Sequence, residues 1–133
     1  MAMRGVPLSF EAPVDVRIGD FEITNLRVYA VYGAKEVTEV PPGGEFEIHA
    51  EYNIENLNPG TGLAAAWTTT MTVWDVTHAR AIGADSFGMH SGAGLLTAHD
   101  AVNVEMPSEP TTFRVKIFAN QKANAGAPPT AEW

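Results

Sequence analysis

The 133-residue sequence contains no cysteine, which excludes disulfides, thiolate metal sites and cysteine nucleophiles together. It is also poor in cations: eight Lys and Arg stand against sixteen Asp and Glu, a net charge of −8. Those cations are scattered from Arg4 to Lys122, and no two are adjacent. A nucleic-acid binder needs clustered Lys and Arg to displace counterions from phosphates, so neither nucleic acid nor an anionic membrane surface is an expected partner. Long apolar runs are missing too: no 18 consecutive apolar residues occur, so no helical span is expected. The opening Met1-Ala-Met-Arg4-Gly-Val-Pro7 leads into Ser9 and Glu11 where the apolar stretch of a signal peptide would lie. The expected setting is therefore a virion or the cytoplasm rather than secretion, with no membrane insertion.

What the chain does contain is hydrophobic residues at 45% and charged residues at 18%, enough to build one globular core at this length. The organising signal is alternation with period two, which sends successive side chains to opposite faces of a strand. Between Glu45 and Glu55, Phe46, Ile48, Ala50, Tyr52 and Ile54 fall on one face and Glu47, His49, Glu51, Asn53 and Glu55 on the other. Shorter runs repeat it at Val14–Ile18, Trp67–Trp74, Val102–Met106 and Phe113–Ile117. Between Phe21 and Tyr32 the parity changes near Thr24 and Asn25, the mark of a bulge or of a strand crossing between sheets.

Turn signals separate these runs, at Gly19-Asp20, Pro41-Pro-Gly-Gly44, Asn58-Pro-Gly60, Gly83 and Pro107-Ser-Glu-Pro110. No segment carries a convincing amphipathic helix. The predicted fold is all-β, an immunoglobulin-like antiparallel two-sheet sandwich of about seven to eight strands. It is expected to occupy residues 1–118, followed by an Ala/Pro-rich tail over 119–133 that ends in Trp133. Gly88–His99 escapes the strand pattern and reads as a flexible loop.

From Val40 to about Val76 the chain resembles bacterial and archaeal immunoglobulin-like adhesion domains of the CARDB type. The matching residues are Pro42-Gly-Gly-Glu45, the alternating strand after it, and Asn56-Leu-Asn-Pro-Gly60. The acidic, Asn-rich ending of that family is absent here. The resemblance implies the sandwich fold and a surface or binding context, and implies no activity.

Several residue groups bear chemistry worth weighing. Glu47, His49 and Glu51 project from one strand face with spacing that suits a solvated face paired to cations better than a metal site. His90, Ser91, His99 and Asp100 are the residue types of a hydrolytic triad, but Met89 and Ala93 stand where a nucleophile elbow needs glycine. His78, Asp85, His90 and His99 match no ligand frame. No catalytic residue, cofactor or metal is therefore expected, and the chain is not expected to be an enzyme.

The expected interaction surface is Thr68, Thr70, Thr72 and Trp74, which share one strand face, together with His90 and the terminal Trp133. A threonine ladder beside an outward tryptophan makes a flat adhesive surface for protein or for sugar rings. The leading expectation is a non-enzymatic structural or interaction module that forms homo-oligomers or a larger assembly with protein partners. A virion structural protein of a phage or archaeal virus, as capsid decoration or tail component, fits it. The alternative is a carbohydrate- or surface-binding module of an exported multidomain protein.

Overall fold

The computed structural model describes residues 5–13, 16–18, 21–57, 66–91, 95–121 and 131–132. Its strands, in chain order, are β1 (Val6–Glu11), β2 (Val16–Ile18), β3 (Phe21–Tyr32), β4 (Lys35–Val37), β5 (Glu39–Val40), β6 (Glu45–Asn56), β7 (Ala66–Asp75), β8 (Arg80–Ser91), β9 (Leu95–Glu105), β10 (Thr111–Gln121) and β11 (Ala131–Glu132). The first sheet runs β5-β1-β10-β7-β8 with β11 added beside β10; the second runs β2-β3-β6-β9 with β4 added beside β3. The protein is thus all-β and built of two sheets, as the alternation predicted. Seven of the strands have six residues or more, and the remaining four are short edge pieces.

Period-two patterning becomes the core directly. In β6 the buried positions are Phe46, Ile48, Ala50, Tyr52, Ile54 and Asn56. In β7 they are Trp67, Thr69, Met71, Val73 and Asp75, and in β10 Phe113, Val115, Ile117 and Ala119. These inward rows meet between the sheets. Trp67 is 1% exposed and lies edge-on to Phe21 with ring centroids 5.6 Å apart, while Phe46 packs edge-on to Phe113 at 6.0 Å. The parity change in β3 is a bulge: pairing with β6 shifts register between Thr24 and Arg27, and Asn25 takes φ 53°.

Two turns show why their residues are needed. Pro42 and Gly43 are the central residues of a type II turn, with Gly43 at φ 75° and the Gly44 N–H donating to the Pro41 carbonyl at 2.9 Å. Tyr32 pairs with Lys35 across Gly33 (φ 59°) and Ala34 (φ 62°), a tight hairpin with both central residues left-handed.

Two sequence expectations change. The sandwich is not wholly antiparallel, because β1 pairs parallel with β10 from Leu8↔Thr111 to Glu11↔Arg114. Most of the expected Gly88–His99 loop is strand, since β8 continues to Ser91 and β9 begins at Leu95. The glycine, alanine and serine of β8 carry no apolar alternation, but they suit an edge strand that is shifted by two irregularities against β7. At the C-terminal end, β10 runs on to Gln121, and β11 pairs Ala131 with Ala119 and Glu132 with Phe118.

Candidate interaction faces

Alternation along β7 turns Thr68, Thr70, Thr72 and Trp74 outward, on the face of the first sheet away from the core. Their neighbours on β10 are Asn120, Phe118, Lys116 and Arg114 in turn. On the β8 side the small residues Ser86, Ala84 and Ala81 stand opposite Thr70, Thr72 and Trp74. Thr70 and Ser86 hydroxyls bond at 3.0 Å, and Arg114 Nε donates to Glu11 Oε2 at 3.0 Å. Trp74 is 40% exposed, a large ring flanked by little that could cover it. His90 lies in β8 opposite Trp67 by backbone pairing, its side chain outside the described residues. Trp133 is also outside them.

The outer face of the second sheet is strongly acidic. Glu22, Glu36, Glu45, Glu47, Glu51, Glu55 and Glu105 share it with Arg17 and Arg27, seven acids less two bases, or −5 with histidines neutral. Glu45 directly faces Glu105 and Glu22 directly faces Glu55, placements that destabilise a sheet by like-charge repulsion. Towards the β3–β4 turn this face dips into a cleft of about 660 Å³ lined by Val31, Glu45, Glu47, Asn103 and Glu105 among others. Near its centre Arg27 sits 4.2 Å above the Tyr29 ring and pairs with Glu36 and with Glu51. Tyr29 in turn stacks on His49 at 5.2 Å, and burial pushes its hydroxyl pKa up.

Two further polar groups carry no local sequence motif. Asp100, 1% exposed, points into the core from β9 and accepts the Tyr52 hydroxyl at 3.0 Å. Tyr52 also bonds the Thr69 hydroxyl at 2.9 Å. The other carboxylate oxygen of Asp100 has no partner among the described residues. Burial raises the Asp100 pKa to about 6, the Tyr52 bond opposing and the nearby Asp85 charge adding to the rise. Asp85 itself ties the two sheet edges together, accepting the Ala101 N–H at 3.0 Å across from β8 to β9.

At the β7–β8 turn, His78 is held between two carboxylates. Its Nδ1 lies 2.7 Å from Oδ2 of the fully buried Asp75, and its Nε2 lies 2.5 Å from Glu109 Oε1. Two carboxylate partners favour the ring with both nitrogens donating, the imidazolium form. The bonds to Glu109 and then Asp75 raise its pKa.

The remaining chemistry-bearing residues do not converge. His99 and Asp100 are successive residues of β9, so one projects outward and the other inward, and they share no site. His78, Asp85 and His99 stand in three separate settings. Among the described residues no group of three or more His, Asp or Glu is placed to hold a metal ion. No helix among them is long and apolar enough to cross a membrane. Comparison with protein-family models, with curated proteins and with solved structures yields no match.

Proposed function

We propose that the chain is a non-enzymatic structural module that assembles with copies of itself, the Trp74 face of one copy lying on the acidic face of the next. The observation that carries this reading is the difference between the two faces. Arg114 and Lys116 flank Trp74 and the threonines on one side, where Glu11 and Glu39 balance their charge, while a net −5 covers the other. A second copy would bring cations to the opposed Glu45 and Glu105 and would cover the exposed indole. Contact between two different faces is heterologous, and repeats into a ring or a filament. Trp74 is the aromatic anchor such an interface needs, and the charges set its register.

A repeating contact of this kind suits a particle component. The finer reading is a virion structural protein of a phage or archaeal virus, a capsid decoration or tail protein, on an immunoglobulin-type sandwich. The resemblance of residues 40–76 to CARDB-type adhesion domains supports the same surface role. Sedimentation velocity of the full chain tests it. Species larger than the monomer should form at low salt, dissociate as salt is added, and be lost in Trp74→Ala. A monomer at every concentration and salt would overturn the reading.

A second reading rests on Trp74 alone. Its open ring beside hydroxyls suits stacking on a sugar, and Trp67, being buried, takes no part. Quenching of tryptophan fluorescence by a glycan, abolished in Trp74→Ala, would favour that reading over assembly.

A further inference from the structure

The register of β6 on β9 places Glu51 opposite His99 and His49 opposite Ala101, which makes His49 and His99 diagonal neighbours on the acidic outer face. Their rings lie 4.9 Å apart, with His49 Nδ1 only 2.7 Å from His99 Nε2. Each ring turns its other nitrogen towards a carboxylate. His49 Nε2 is 3.3 Å from Glu47 Oε1, and His99 Nδ1 is 4.0 Å from Glu51 Oε1.

One assignment of the protons satisfies these contacts. With His49 Nε2–H donating to Glu47, His49 Nδ1 carries a lone pair, and His99 Nε2–H donates to it. If the His99 proton moves to Nδ1, on the Glu51 side, two lone pairs face each other and nothing separates them. A cation to one side of the line between them, with both rings turned towards it, would take both. Carboxylates behind ligating histidines orient the rings and raise their basicity, which is the placement Glu47 and Glu51 have.

We infer that His49 and His99 form a two-imidazole site for a divalent transition-metal ion of tetragonal preference, copper(II) above nickel(II), with water completing its coordination. The short separation of the nitrogens favours the geometry with the narrower angle. With metal–nitrogen bonds of about 2.05 Å, a right-angled pair of ligands needs about 2.9 Å between nitrogens and a tetrahedral pair about 3.4 Å. The rings are hydrogen-bonded at 2.7 Å, so the nitrogens must part by only about 0.2 Å to reach the first and by about 0.7 Å to reach the second. His49 is also held in place. Its side chain is 16% exposed and stacked on Tyr29, which Arg27 covers in turn. The net −5 of the face raises the local concentration of cations. Binding swaps one His99 tautomer for the other and releases no proton.

The test is a titration of the full chain with copper(II), nickel(II) and zinc(II), read by visible absorption and by electron paramagnetic resonance for copper. One copper(II) should bind per chain, with nitrogen couplings from two imidazoles and an affinity above that for zinc(II). His49→Gln and His99→Gln should each weaken binding at least about tenfold, and Glu47→Gln, which touches only the distal nitrogen, by about tenfold or more. His78→Ala and His90→Ala should change nothing. Copper bound through one imidazole or none, affinity unchanged in both glutamine variants, or tighter binding of zinc(II) would overturn the inference. The resonance spectrum of the unmodified chain decides the point even if a variant folds poorly.

Discussion

Replacing Asp100 with asparagine should remove a pH dependence of stability that runs opposite to ordinary acid denaturation. Asp100 is 1% exposed, with one carboxylate oxygen bonded to Tyr52 and the other without a partner among the described residues. Burial raises its pKa from 3.8 to about 6. Because the folded pKa lies above the unfolded one, the folded state binds more protons between those values. This group's contribution is therefore greatest below about pH 4 and declines as pH rises to about 6. A shift of about 2 units corresponds to about 3 kcal/mol. Asparagine keeps the shape and cannot ionise, though its amide N–H groups cost about 1–3 kcal/mol if unpaired. Below about pH 4 the native chain should therefore be the more stable by about that amount, while above about pH 7 the asparagine variant should equal or exceed it. Urea unfolding of both chains at several pH values, followed by tryptophan fluorescence, measures the difference directly. Surface carboxylates titrate alike in both and cancel. A difference constant within about 0.5 kcal/mol across that range would refute the assignment of Asp100 as a strained buried acid.

His78 works with the opposite sense of charge. Its raised pKa means that its contribution is fully present below the unfolded value near 6.5 and is lost as pH rises through the folded value. The melting temperature gap between the native chain and His78→Ala should accordingly be wider at pH 5.5 than at pH 9, as melts at both pH values will show. Ala34 is left-handed in the β3–β4 hairpin at φ 62°, so Ala34→Gly should stabilise the fold by about 0.5–1 kcal/mol in denaturant titrations. The two tryptophans of β7 should part company in the same assay. Trp67→Ala empties a core slot and should cost about 3–5 kcal/mol, whereas Trp74→Ala, at a partly open ring, should cost only about 1–2 kcal/mol.

The parts of this fold that sequence made legible are those where one face is greasy and the other wet. Glu45–Asn56 is the clearest, and the same logic separated buried Trp67 from exposed Trp74 and located the bulge at Asn25. β8 was illegible because an edge strand of glycine, alanine and serine buries little and has no face to alternate. β1 was missed because Pro7 and Ser9 interrupt a short run whose pairing is parallel and wholly non-local. The diagonal meeting of His49 and His99 depends on a register between strands 50 residues apart, which no local pattern encodes. Asp100 did leave a trace. It lies in phase with Val102, Val104 and Met106, so the strand parity already placed a carboxylate among core positions.

A charge-swap mixture shows whether two unlike faces of one chain recognise each other. One variant carries Arg114→Glu and Lys116→Glu, making both faces acidic. The other carries Glu45→Lys, Glu55→Lys and Glu105→Lys, making the second face basic. Sedimentation at low salt should show each variant monomeric alone and the two assembled when mixed. Assembly by either variant alone, or a mixture that stays monomeric while the native chain assembles, would contradict that recognition.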